Sequence, residues 1–176
     1  MSLAIVHARA ALGVEAPRVN IEVHLSGGLP GTNIVGLPEA AVRESRDRVR
    51  SALLNANFDW PQRRITINLA PADLPKEGAR FDLAIALGIL AASGQVPIDV
   101  LDDYEFYGDL ALSGALPAIH GLLPAVIQAT RNGKAVIVPA ALADEAAQVP
   151  DARVFAADHL LAHVHNPHAL NERHDE

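Results

Sequence analysis

The sequence predicts a mixed-sheet domain of the α/β (α+β) class, and three observations carry that prediction. Near the N-terminus, apolar and polar residues alternate with a period of two, the signature of half-buried strands. From residue 106 onward, short apolar runs alternate with helical segments, the order that builds a sheet flanked by helices. Between them, residues 64–94 read RITINLAPADLPKEGARFDLAIALGILAASG: a strand, a Pro- and charge-rich loop, and a wholly apolar helix. Rigid elements on both sides of a polar loop hold it in place, and a helix start offers free backbone N–H groups, so α/β proteins often place chemistry there.

Taken in order, residues 4–11 are apolar but interrupted by His7 and Arg9, which suits a half-exposed strand ended by Gly13. Residues 19–25 put Val19, Ile21, Val23 and Leu25 on one face and Asn20, Glu22 and His24 on the other, a strand expected to pair with the first as a hairpin. A short strand at 33–35 lies between two GLP punctuations. Pro38 suits the first helical position and Glu39 the positive helix end, so a helix is expected to about residue 55, with Val42, Val49 and Leu53 on one stripe. The central strand spans 65–69 and the apolar helix 81–92. A surface crossing at 95–103 leads to a strand at 106–112, closed by Ser113 and Gly114, and then to a helix at 121–130 ended by Asn132 and Gly133. Residues 135–138 form a continuous apolar run typical of a buried parallel strand. A short helix at 141–147, a strand at 152–155 and a helix at 157–164 follow. The expected domain is 1–165, with 166–176 a polar tail or the start of a linker.

With 176 residues, half of them hydrophobic, the chain can close one good core. Its 14 Lys and Arg against 21 Asp and Glu give a net charge of −7, which argues against a surface that coats nucleic acid as a whole but leaves room for a local basic patch. No cysteine is present, which excludes disulfides, thiol nucleophiles and Cys-ligated zinc. The N-terminus lacks a basic leader with a long apolar core, and no segment approaches the roughly 20 apolar residues of a membrane span. A cytoplasmic protein without membrane contact is expected.

Motif chemistry is mostly excluded. The lone Gly-Lys pair, Gly133-Lys134, is followed by Ala135 and lacks the rest of a phosphate-binding loop, so no ATP site of that kind is expected. His159 and His163 have the i,i+4 spacing of a zinc helix, but Leu160 stands where the glutamate base belongs, and no metal site is expected. No serine has the context of a hydrolase nucleophile. The candidates that remain are cationic. Arg43, Arg46 and Arg50 cluster within about 60° on the helical wheel, and Arg63 and Arg64 follow a turn containing Pro61. Either they form a solvated helix face with intrahelical pairs, or they form a phosphate-binding patch, for which the bidentate fork of arginine is suited. The loop charges Asp73, Lys76, Glu77, Arg80 and Asp82 also have two readings. Asp82 at the helix start can pair with Arg80 or Lys76 as a structural clamp, or Lys76 and Arg80 can hold an anion beside the helix N-terminus.

The stretch PADLPKEGARFDLAIALGILAASG, followed by FYGDLALSGALPAIHGLLPAVIQATRNGKAVIVP, resembles the proteolytic domain of Lon. Matching Pro75, Lys76, Glu77 and Gly78 to the PKDG of that family puts Arg80 at the position of its nucleophilic serine, and Leu123 approximately at that of its catalytic lysine. By this resemblance no catalytic residue is retained. A Ser-Lys dyad needs a hydroxyl and a neutral amine within reach, and neither position supplies one.

The longer blocks MSLA, IEVHLSGGLP, IVGLPEAAVRESRDRVRSAL, WPQRRITINLAPADLPKEG and RFDLAIALGILAASGQ are similar to the amino-terminal domain of the ComM (YifB) family of magnesium-chelatase-like AAA+ proteins. The resemblance covers most of residues 1–139 and implies a Lon-protease-like fold of the ribosomal protein S5 domain 2 type. It implies a parent AAA+ ATPase: a hexameric helicase promoting branch migration during natural transformation. ATP and Mg are then expected only in an AAA+ module outside these residues, with no cofactor here. The implied partners are other copies of the chain, in a ring, and DNA. Three roles follow: DNA contact within an accessory ring, a purely architectural subunit contact, or a residual Lon-like hydrolase.

Overall fold

The computed structural model describes residues 2–37, 39–71, 74, 78–99, 101–119 and 121–160. Seven strands form one mixed sheet: β1 (Ser2–Arg9), β2 (Arg18–Ser26), β3 (Gly31–Val35), β4 (Arg64–Ala70), β5 (Tyr104–Phe106), β6 (Ala135–Pro139) and β7 (Val154–Ala157). Their order is β3-β4-β2-β1-β5-β6-β7. β1 and β2 form the expected antiparallel hairpin, and β4 joins β2 antiparallel. The pairs β3–β4, β1–β5, β5–β6 and β6–β7 are parallel.

The period-two pattern explains which face is covered. Val19, Ile21, Val23 and Leu25 are fully buried, as are Ile65 and Leu69 opposite them, whereas Asn20, Glu22 and His24 lie on the other face and are half-buried. Helices α1 (Glu39–Asn55) and α2 (Asp82–Ala92) cover the apolar face, with α2 directly over β1 and β2. All eleven residues of α2 are buried. Its approach is close enough that a Cβ on Gly88 would stand 2.5 Å from Val23 Cγ2. Polar α1 contributes Ser45, Val49, Ala52 and Leu53 to the interior, a stripe with helical spacing that Ala56 continues just past its end.

β6 is buried on both faces, as its apolar run predicts. Ala135 and Ile137 join the core under α2, while Val136 and Val138 pack with Val126 and Ala129 of α3 (Leu123–Arg131) and with Ala146 of α4 (Ala143–Ala146). β1 is locked to β5 by a buried bidentate pair: Arg9 donates to both Glu105 carboxylate oxygens, at 2.7 and 3.1 Å, and Tyr107 Oη donates to the same carboxylate.

The C-terminal half departs from expectation in three places. The strand expected at 106–112 is only Tyr104–Phe106. After Tyr107 N–H donates to Ile137 O, the chain leaves the sheet: Gly108 O accepts from Leu83 N–H at the start of α2, and Ala111 closes a turn with Ala115. Its hydrogen bonds are satisfied by a helix end instead of a neighbouring strand. The helix expected at 141–147 divides into a 3₁₀ turn, Ala140–Leu142, and α4. The last strand is shifted to Val154–Ala157, so Ala157 ends a strand instead of starting a helix; the remainder of that expected helix beyond residue 160, and the tail at 166–176, lie outside the described residues.

Candidate functional site

Two charged assemblies flank α1, one buried and one open. The buried one forms at the loop before α2. Asp73, Lys76 and Glu77 lie outside the described residues, while Arg80 and Asp82 are buried. Asp82 is the first residue of α2 and has no exposed surface. Its carboxylate accepts from Ser45 Oγ at 2.9 Å, from Arg48 Nε at 2.7 Å and Nη2 at 3.3 Å, and from the Leu110 backbone N–H at 3.5 Å. Asp82 therefore ties α2 to α1 through Arg48, a partner the sequence reading did not name; of the two it did name, Arg80 and Lys76, Lys76 lies outside the described residues. The i,i+3 spacing of Ser45 and Arg48 puts both on the helix face turned to α2. Burial pushes the Asp82 carboxyl up, against Arg48, Ser45 and the Leu110 N–H, which pull it down; the hydrogen bond to Asp82 holds the Arg48 guanidinium up.

Arg80 reaches the other way, with Nη2 3.5 Å from the Gly121 carbonyl oxygen. Gly121 lies in the segment that enters α3 at Leu123, so Arg80 is turned toward that segment. Asp109 lies in the field of both Arg48 and Arg80, and burial pushes its carboxyl up against their pull. In this cluster Arg80 offers neither hydroxyl nor base, and the hydroxyl of Ser45 is fully buried and donates to Asp82. The arrangement is that of an interlocked ion cluster.

The open assembly lies on the other side of α1. Arg43 and Arg50 are exposed and Arg46 is half-buried, with Nε 3.8 Å from Asp47 Oδ1. The Arg50 guanidinium stands over the indole of Trp60, 5.8 Å from the ring centroid. Arg46, Asp47 and Arg50 form one wall of a groove of about 360 Å³; residues 30–32 and the turn at 60–62 form the rest. Arg43 does not line it. Arg63 and Arg64 follow directly on the 60–62 wall, half-buried and exposed respectively, and Arg64 pairs in the sheet opposite Gly31. Sequence reasoning missed Ser45, Arg48 and Trp60. The spacing of Ser45 with Val49, Ala52 and Ala56 marks it as interior, and Trp60 is the single tryptophan of the chain, in a Trp-Pro turn. No local signal marks Arg48 apart from its neighbours.

Among the described residues no group of three or more His, Asp and Glu residues is placed to hold a metal ion. His159 Nε2 lies 3.0 Å from Ser113 O, and His163 falls outside the described residues. No helix among the described residues is long and apolar enough to cross a membrane.

Residues 21–142, from β2 to the 3₁₀ turn before α4, match the family described as subunit ChlI of Mg-chelatase. The chain belongs to this family. Both charged assemblies lie within the matched residues. Among its relatives, competence protein ComM of Haemophilus influenzae is 55% identical over 161 residues, covering 92% of this chain and 32% of ComM. YifB of Escherichia coli is 51% identical over 173 residues, covering 97% of this chain and 34% of YifB. Lon protease 2 of Bacillus subtilis is 33% identical over 70 residues, covering 39% of this chain and 12% of that protease. The chain spans about a third of the length of ComM and YifB. As a ChlI-family chain similar to ComM and YifB over nearly all its length, with a seven-stranded mixed sheet, it has the S5 domain 2-like, Lon-protease-like fold.

Proposed function

We propose that this chain is a non-catalytic domain of a ComM-type AAA+ ATPase that drives DNA branch migration during natural transformation in the cytoplasm, and that it supplies DNA contact. The observation that carries this reading is the open groove lined by Arg46, Arg50 and Trp60, on a chain whose net charge is −7; Arg43, Arg63 and Arg64 lie outside its lining. Such a patch grips phosphate locally and without sequence preference. ATP and Mg belong to the remainder of the parent protein, a hexameric ring. Fluorescence anisotropy of the chain with single-stranded, duplex and branched DNA across a salt series tests it. Binding that weakens steeply with salt supports DNA contact in this domain, and no binding at low salt removes it.

A second reading is architectural. On β1 to β4, the face of the sheet turned away from α1 and α2 carries Leu3, 54% exposed, and a row across the four strands made of Ile5, Glu22, Asn68 and Val35, in which Asn68 donates to Glu22. Exposed apolar residues among polar ones suit a subunit contact. An Ile5→Glu substitution that dissociates the parent ring without changing DNA affinity of the isolated chain favours this reading. For residual hydrolysis at the Arg80 loop, an Arg80→Ser variant is expected to stay inactive on casein, since no lysine stands at Leu123.

A further inference from the structure

We propose that the groove between α1 and the 60–62 turn seats one unpaired nucleotide of single-stranded DNA, with its base against the Trp60–Arg50 pair and its phosphate at Arg46. The inference rests on the reading of this surface as the DNA contact and adds to it the kind of DNA, and the part of it, that is recognised. Three features of the groove select this occupant. Its volume of about 360 Å³ is that of a small-molecule pocket, too small for a duplex and ample for one nucleotide. The Arg50 guanidinium stands over the Trp60 indole, its Cζ 5.8 Å from the ring centroid, and both line the groove, a planar cationic and aromatic pair of the kind against which an unpaired base stacks. The charge balance points the same way. Arg46 and Arg50 are opposed by Asp47 on the same wall, whose side chain is 71% exposed. One net positive charge suits a single phosphate, so stacking supplies much of the affinity. A duplex hides its base faces and can meet only the arginines.

Trp60 is the sole tryptophan, so its fluorescence reports on this groove alone. The experiment titrates the chain with a labelled oligothymidylate and with an abasic oligonucleotide of equal length, reading label anisotropy and tryptophan emission together. Expected are binding of both, quenching by oligothymidylate alone, and about tenfold weaker binding of the abasic strand. Because Trp60 also packs against the core, Arg50→Gln is the companion to Trp60→Leu. Arg50 is exposed, so its variant keeps the fold, and it is expected to lose most of the preference for the base-bearing strand. Anisotropy with no change in tryptophan emission, or equal affinity for the two strands, overturns the nucleotide seat while leaving DNA contact standing. An absence of anisotropy with either strand at low salt overturns both.

Discussion

Arg48 Nε lies 2.7 Å from Asp82 Oδ2, joining the middle of α1 to the first residue of α2. The carboxylate is wholly buried and the guanidinium about a quarter exposed, so the pair is a bolt between two helices on one face of the sheet. It occupies the loop that the Lon resemblance marks as catalytic.

Arg48→Ala is expected to destabilise the chain by about 3–5 kcal/mol, because it leaves a buried carboxylate with only Ser45 and a long backbone hydrogen bond. The double variant Arg48→Met, Asp82→Leu is expected to lose less than Arg48→Ala alone. Urea unfolding checks both. A loss under about 1 kcal/mol for Arg48→Ala, the scale of a surface ion pair, contradicts the bolt.

Gly88→Ala is expected to destabilise although alanine is the better helix former by about 1 kcal/mol. The new Cβ would lie 2.5 Å from Val23 Cγ2 and 3.5 Å from Val6 Cγ2, both in fully buried side chains, and overpacking of this kind costs about 1–3 kcal/mol. Adding Val23→Ala makes room for the methyl group. Thermal melts that show Gly88→Ala as stable as the parent would refute the close helix-on-sheet approach.

Burial and the neighbouring Glu105 carboxylate hold the Tyr107 hydroxyl well above its ordinary range, with Arg9 opposing them. In the unfolded chain this proton leaves near pH 10, at about the unperturbed tyrosine value. Above that the unfolded state binds fewer protons than the folded one, so stability present at lower pH is lost as pH rises. Tyr107→Phe is expected to flatten this alkaline decline while costing about 1 kcal/mol at neutral pH through removal of the hydrogen bond. Urea midpoints measured from neutral pH upward decide it: an unchanged slope in Tyr107→Phe removes the assignment.

Replacing Arg43, Arg46 and Arg50 together by Ala is expected to leave thermal stability within about 1 kcal/mol, since none is fully buried. DNA affinity is expected to fall. On single-stranded DNA the slope of log K against log salt is expected to become shallower by about 0.7 for each phosphate that is no longer neutralised. Equal losses of stability and affinity would make the helix face structural.

Much of the architecture was legible because it is written in local periodicity. The alternation of Val19 to Leu25 identified the buried face of β2, the run at 135–138 identified a strand covered on both sides, and the apolar stretch after Arg80 identified a helix with no solvent face. The strand expected at 106–112 failed for a related reason. Apolar residues leaving a sheet to close over a helix start look the same in sequence as residues staying in it.

The sequence by itself determined the mixed-sheet class, most element positions, the absence of thiol chemistry and the family resemblance. Only the tertiary structure decided which charges meet. Arg43, Arg46, Arg48 and Arg50 lie on one helix within two turns, yet Arg48 is turned in to Asp82, Arg46 and Arg50 line a groove, and Arg43 stands outside it. The partners that separate them, Asp82 and Trp60, come from elsewhere in the chain and are brought in by burying the apolar faces of α1 and α2 on the sheet. A charge has no periodicity of its own, so its role is assigned by whichever group that packing brings within reach.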